Sequence, residues 1–330
     1  MSIKRIFLLP LLALLFVTGV FGQKRSDMTR IRTRDPVVYG VSFTENGEAL
    51  AVADDQVINV FSVRTLALLN TFAGGHTDRI MSVDISFDST LMVSGGKDGT
   101  LVIWDFTTAR IIETLHSHNG IITSVQLSPD CRYLVSGGTD DRVVLYDMMQ
   151  NRITHEFTLH DDDVTSVVFS PDGQWLASSG ADGKIFLYDT RTFQVADTLT
   201  GHKSWVRSLC FNRDGTRLLS CGDDGQVITW DLEDPAQISK QYINRVSLTW
   251  ILTLDVRGDD WVYACGDLNG RAYIVTHFGT YRAGVGAPVT RILFKPTQKE
   301  LLMIAVATRG NGVVLLDGIG MKWNQKKRSR

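Results

Sequence analysis

The sequence predicts an all-β chain made of one repeated four-stranded unit. Three observations carry that prediction: a 42-residue period of polar residues, short β-rich runs divided by Pro, Asp and Gly turns, and no helical period of useful length after residue 22. The period starts from His76, His118, His160 and His202, each 42 residues from the next. Six residues after each His stands Ser82, Ser124, Ser166 or Ser208, and eighteen after stands Ser94, Ser136, Ser178 or Ser220. Twenty-two after comes Asp98, Asp140, Asp182 or Asp224. Twenty-eight after comes an aromatic, Trp104, Tyr146, Tyr188 or Trp230, each followed by Asp.

One copy shows the unit. Thr165–Phe169 is a β-rich run, Ser170-Pro171-Asp172-Gly173 a turn, and Trp175–Ser178 a second run. Ala181-Asp182-Gly183 is a tight turn, Ile185–Tyr188 a third run and Val195–Leu199 a fourth. Weaker copies extend the series. Phe61-Ser62 lies 43 residues before Trp104-Asp105. Cys265-Gly266-Asp267-Leu268-Asn269-Gly270 aligns with Ser220–Gly225 at a shift of 45, and Leu316-Asp317 closes a last copy. Copy ends near 61, 104, 146, 188, 230, 275 and 316 make seven units. The 330 residues are therefore one ring rather than two domains.

Composition sets the outer bounds. Hydrophobic residues at 44% and charged residues at 21% exclude a disordered chain, and 29 Gly with only 7 Pro exclude collagen and Pro-rich linkers. With 34 Lys+Arg against 36 Asp+Glu, overall charge gives no reason to expect nucleic acid or an anionic membrane as partner. Residues 1–22 read as a secretory signal: Lys4 and Arg5, an apolar stretch from Ile6, and small Gly22 before Gln23. The stretch to Phe21 falls short of the ~20 residues of a spanning helix, which favours cleavage; an uncleaved anchor is the alternative, suggested by Lys24 and Arg25 directly after it and by Val20 rather than Ala at the −3 position. No later segment is apolar enough to span a membrane, and the mature chain is expected to be soluble. Cys131, Cys210, Cys221 and Cys265 match no metal spacing. A turn at Asp214-Gly215 puts Cys210 opposite Leu219 rather than Cys221, so free, mostly buried thiols are expected.

These residues resemble the WD-repeat (WD40) family of β-propellers, through Gly75-His76 and Gly201-His202 at the start of a copy and Trp104-Asp105 and Trp230-Asp231 at its end; Tyr146-Asp147 and Tyr188-Asp189 are tolerated variants. The resemblance covers about residues 28–318 and implies a seven-bladed β-propeller of four-stranded blades. With the signal and the basic end read from their own residues, the chain divides into a signal peptide (1–22), the propeller (23–320) and a basic C-terminal tail (321–330). The last copy lacks an obvious fourth strand after Val289–Phe294, Glu300–Ala307 and Val313–Asp317. In the family an N-terminal strand commonly completes the last blade, and Met28–Thr33 is expected to do so here, sealing an edge that would otherwise be open.

The repeated His, Ser and Asp invite a hydrolase reading, but one catalyst does not need four copies of a set in one register. The resemblance implies a buried network in each blade: His76, Ser94, Asp98 and Trp104; His118, Ser136, Asp140 and Tyr146; His160, Ser178, Asp182 and Tyr188; His202, Ser220, Asp224 and Trp230. Asp accepts from one His nitrogen, the Ser hydroxyl meets the other, and the Trp N–H reaches the Ser oxygen. The two tyrosines cannot supply an indole N–H, so their networks are expected to differ in detail. Copies 1, 6 and 7 lack the His and are expected to rely on apolar packing.

No catalytic residue, metal site or cofactor is assigned. The expected function is a non-enzymatic protein–protein interaction scaffold, a monomeric propeller within a larger complex, acting outside the cytoplasm; in a Gram-negative bacterium that means the periplasm or a cell-envelope assembly. The alternatives are a lactonase-like propeller hydrolase, or a small-ligand or glycan binder, using the central channel. Against the hydrolase, His116, His155 and His277 are uncommitted to the repeat, and none falls at an expected axis position. Family partners usually dock on the face bearing the His and Asp loops. The repeat places Arg79, Asp163, Trp205 and Trp250 at one position of that face, Arg207 at a second, and Lys97 and Asp223 at a third. Interfaces concentrate their energy in Trp, Tyr and Arg, which makes Trp205, Arg207 and Trp250 the expected centre. Asp161-Asp162-Asp163 on the same face is read as a solvated run, open to a cation or a basic partner. The basic tail is read as a solubilising segment.

Overall fold

A computed structural model describes residues 28–234, 238–257, 262–276, 279–296 and 303–317. The described residues form seven four-stranded antiparallel sheets and no helix. Blade 1 holds Val41–Phe43, Ala49–Asp54, Val57–Ser62 and Leu68–Phe72; blade 2 holds Ile80–Ile85, Leu91–Gly96, Thr100–Asp105 and Arg110–His116. Blade 3 holds Ile122–Leu127, Tyr133–Gly138, Val143–Asp147 and Arg152–Phe157; blade 4 holds Val164–Phe169, Trp175–Gly180, Lys184–Asp189 and Gln194–Thr200. Blade 5 holds Val206–Phe211, Arg217–Gly222, Gln226–Asp231 and Ser239–Arg245; blade 6 holds Ile251–Arg257, Val262–Asp267, Arg271–Thr276 and Gly279–Gly284. Blade 7 holds Val289–Phe294, Met303–Thr308 and Val313–Asp317, with Thr29–Ile31 as its fourth strand. Each first strand packs against the next blade's first strand, and blade 7 returns to blade 1, so the ring is closed.

The strands of blade 4 fall where the β-rich runs place them, each a residue or two longer. The expected closure is present: Thr29, Arg30 and Ile31 pair antiparallel with Leu315, Val314 and Val313. Residues 1–22, the basic tail and His277 lie outside the described residues. Cys210 pairs with Leu219 across the first hairpin of blade 5, and all four thiols are free. Burial pushes the Cys210 and Cys221 thiols well above their usual value.

The apolar core lies between blades. Trp175 and Ala177 of blade 4 pack with Val206, Leu209, Leu218 and Trp230 of blade 5, and Ala51 and Val60 of blade 1 pack with Ile80, Met92 and Trp104 of blade 2. Each side chain buried in such a seam contributes roughly 1.5–3 kcal/mol, so no blade is stable without its neighbours.

The serines six residues after each His also act between blades. Ser82 Oγ accepts the Val125 N–H at 3.2 Å, Ser124 Oγ the Val167 N–H at 3.2 Å and Ser166 Oγ the Leu209 N–H at 3.3 Å. Thr253 continues the series to Ile292 at 3.1 Å. Asp84 and Asp255, two residues on, accept the N–H groups of Leu127 at 3.0 Å and Phe294 at 2.7 Å. Ser208 Oγ is buried without a partner, so the seam between blades 5 and 6 lacks this latch.

Candidate partner-binding face

The four His sets are fully engaged. His76 Nε2 lies 2.7 Å from Ser94 Oγ, Nδ1 lies 3.2 Å from Asp98, and Trp104 Nε1–H donates to Ser94 Oγ at 2.8 Å. Blade 5 repeats this with His202, Ser220 and Asp224, and Trp230 donates at 2.9 Å. In blade 4 the Tyr188 hydroxyl meets Ser178 Oγ at 3.1 Å. In blade 3 His118 contacts Ser136 and Asp140, both at 2.8 Å, but the Tyr146 hydroxyl turns away, donating to Glu113 and lying against the Asn151 amide. Burial pushes His76, His118 and His160 below the usual imidazole value, against the opposing pull of their Asp partners. A neutral, buried imidazole with both nitrogens in hydrogen bonds has no free atom for a substrate.

Copies 1, 6 and 7 do not rely on apolar packing alone, which corrects the expectation. The last residue of the second strand is Gly96, Gly138, Gly180 or Gly222 in the His blades, and Asp54, Asp267 or Thr308 in blades 1, 6 and 7. A Cβ at Gly180 would stand 2.5 Å from His160 Nδ1 and 2.8 Å from Asp182 Oδ1, so only Gly admits the imidazole. Without the His, the strand supplies its own polar side chain. Asp267 Oδ2 accepts from Ser247 at 3.2 Å, Thr249 at 3.3 Å and the Tyr273 hydroxyl at 2.8 Å. Asp54 accepts the N–H groups of Arg34 and Asp35, each at 2.8 Å. Thr308 Oγ1 donates to the Gly312 carbonyl at 3.0 Å. Single-sequence reading missed this because the substitute arises from the strand end rather than at the His register.

Each first strand begins at the ring face that carries the His loops and the Asp turns. On that face Arg207 extends from blade 5 between two indoles. Its guanidinium lies 4.3 Å from the Trp205 ring centre and 5.5 Å from that of Trp250 in blade 6. Two bonds of 2.7 Å fix it to Asp223. The stack spans the seam that lacks a serine latch. Trp250 is 45% exposed and Leu248 beside it 89% exposed. Four of the seven expected face residues are thus in direct contact: Trp205, Arg207, Asp223 and Trp250.

The other three do not join this contact. Asp163 belongs to blade 4, its carboxyl raised by burial and by Asp162 and Asp141, with Arg207 opposing. Arg79 pairs with Asp35 across the ring and lies 6.0 Å from the Tyr39 ring, and Lys97 is exposed nearby in sequence on the turn of blade 2. Tyr39 and Arg309, whose guanidinium lies 5.3 Å from the Tyr39 ring, were missed, because blade 1 has no His to fix its register. Asp161 is taken up by Lys184 at 2.5 Å. Asp141, Asp162 and Asp163 each bring a carboxylate oxygen within 4.8 Å of the others. His116 and His155 lie on the outermost strands of blades 2 and 3, away from the axis.

Four segments, residues 66–105, 109–147, 151–189 and 193–231, match the family model described as WD domain, G-beta repeat. The chain is similar to eukaryotic translation initiation factor 3 subunit I of Schizosaccharomyces pombe, 39% identical over 71 residues, covering 21% of each chain. It is similar to small ribosomal subunit protein RACK1 of Neurospora crassa, 36% identical over 67 residues, covering 20% of this chain and 21% of the relative. It also resembles the U4/U6 small nuclear ribonucleoprotein PRP4 of Saccharomyces cerevisiae, 45% identical over 51 residues, 16% of this chain and 11% of that one. The matches thus span about a fifth or less of these relatives' length. Four matched segments set in a ring of seven like-built sheets establish that this chain carries WD40 repeats within a seven-bladed β-propeller.

Proposed function

We propose that this chain is a non-enzymatic protein-binding scaffold that docks its partner on the His-loop face, centred on Trp205, Arg207 and Trp250. The observation that carries the reading is the indole–guanidinium–indole stack across the seam of blades 5 and 6, pinned by Asp223 and open to solvent at Trp250. A pre-ordered aromatic and Arg cluster loses little side-chain freedom on binding, the property that makes such clusters dominate interface energy. The commitment of every repeated His to a network supports a binding role over a hydrolytic one. The test is a Trp205→Ala/Trp250→Ala double variant, checked for an intact thermal transition and compared with wild type for partner capture. Loss of the principal partner with a Tm within a few degrees of wild type is expected; undiminished capture of every partner sinks the reading.

We also propose that the scaffold acts outside the cytoplasm, on the strength of the charged start, apolar stretch and small Gly22 of residues 1–22. N-terminal sequencing of the protein recovered from fractionated cells is expected to begin at Gln23. An intact Met1 in a cytoplasmic fraction would overturn the export proposal without touching the docking face.

A further inference from the structure

Charge on the docking face is sorted by sector. Blade 3 places Asp141, at φ 63°, where blades 2, 4 and 5 turn on Gly99, Gly183 and Gly225, and so adds a carboxylate at a point where its neighbours have no side chain. Asp141 joins Asp162 and Asp163 of blade 4. Among the described residues no ion pair reaches any of the three, whereas neighbouring Asp140 is held by His118 and Arg142 and Asp161 by Lys184. The nearby cation, Arg207, has already spent its bidentate edge on Asp223. Directly beyond it lie Trp250 and Leu248, two of the twelve exposed large apolar side chains among the described residues; Tyr242 and Ile243 of the same nine-residue stretch are two more. Across the ring the sign reverses: Lys97 and Arg309 have no carboxylate partner among the described residues, and Arg309 stacks on Tyr39.

Three unpaired carboxylates beside an apolar, aromatic sector are complemented by a segment that is both cationic and apolar. Arginine suits it best, because its planar group pairs with carboxylates and also lies against indole faces. Resting on the docking-face reading above, we propose that the partner lays a basic protein segment containing a large apolar side chain over blades 3 to 6, its cations on Asp141, Asp162 and Asp163 and its apolar residue on Trp250 and Leu248. An acidic segment is repelled from this sector and drawn instead toward Lys97 and Arg309.

The experiment places a photo-crosslinking phenylalanine derivative at Leu248, and separately at Lys97, in the full chain expressed in its native cells, and sequences the captured peptides. Both positions are exposed, and an unchanged thermal transition confirms that each variant folds. At Leu248 the captured segment is expected to carry Arg or Lys within a few residues of a large apolar side chain. Its yield is expected to fall about fivefold or more in Asp162→Asn/Asp163→Asn, and to fall as salt rises from about 0.05 to about 0.5 M. An acidic captured segment, a yield indifferent to the Asn pair and to salt, or capture at Lys97 alone overturns the charge assignment and leaves the docking face standing. Capture at neither position overturns both.

Discussion

Blades 2 to 5 and blades 1, 6 and 7 solve one packing problem in opposite ways. In the first group an imidazole enters from the preceding loop, and the strand end is Gly96, Gly138, Gly180 or Gly222; a Cβ would run into the imidazole at the first three and into the Trp205 carbonyl at the fourth. In the second the loop gives no His, and Asp54, Asp267 or Thr308 occupies the strand end. What the fold requires is a polar group at that place to satisfy loop N–H and hydroxyl groups that the ring buries. Which element supplies it is free, provided the two supplies do not collide.

The sharpest way to break this comparison is to force the collision. Gly180→Asp is expected to cost roughly 3 kcal/mol by driving the new side chain into His160 and Asp182. Combining it with His160→Ser reproduces the arrangement of blade 6 and is expected to recover at least about 1 kcal/mol, a coupling read from denaturant unfolding of the two singles and the double. A double variant no more stable than Gly180→Asp alone shows that the two arrangements are not interchangeable.

A smaller effect separates the His blades from one another. Ser94→Ala strands the Trp104 N–H as well as an imidazole nitrogen, whereas Ser136→Ala strands the His118 nitrogen only, since Tyr146 bonds elsewhere. Ser94→Ala is expected to cost about 1 kcal/mol more. Equal losses in urea melts would mean that the indole bond carries no weight.

Acid acts on the same networks. A histidine whose folded pKa lies below its unfolded value of 6.5 holds full stability above that pH and loses it as pH falls. Burial pushes Asp98 and Asp140 up, but N–H groups of Thr77, Thr100 and Asn119 and the paired imidazoles outweigh it, so both sit below the carboxylate range. Their contribution is lost only as pH falls below about 4, so the drop in urea midpoint expected from about pH 6.5 to about pH 4 is carried by the histidines, and the carboxylates extend it to lower pH. A midpoint flat over that interval contradicts the networks as drawn.

The least effect has the opposite sign. Asp163 is raised by burial and by like charges at Asp162 and Asp141, so its carboxylate opposes folding at neutral pH. Asp163→Asn is expected to raise stability by at most about 0.5 kcal/mol at pH 7, discounted for solvent screening, and by nothing near pH 4. A loss of stability at pH 7 would show that the carboxylate repulsion is not felt.

Legibility in the sequence followed the polar markers. The four His sets, the closing strand and the position of Cys210 opposite Leu219 could be placed because each rests on spacing or on a single turn. Asp54, Asp267 and Thr308 could not, because a lone buried Asp or Thr at a strand end has no repeated companion to single it out. The face was half legible: register aligned Trp205 with Trp250, yet Tyr39 and Arg309 meet only through closure of the ring between residues far apart in the chain.

The chain by itself determined the number of units and their strand order, because a 42-residue period of polar and aromatic markers, with the same turns between, repeats the same local energetics from copy to copy. Only the assembled ring decided that Arg207 stands between indoles of two blades, that Asp141 joins Asp162 and Asp163, and that inner-strand serines latch the next blade. Those contacts cross seams, where the partner of each side chain is set by the rotation between neighbouring sheets and not by anything local to its own strand.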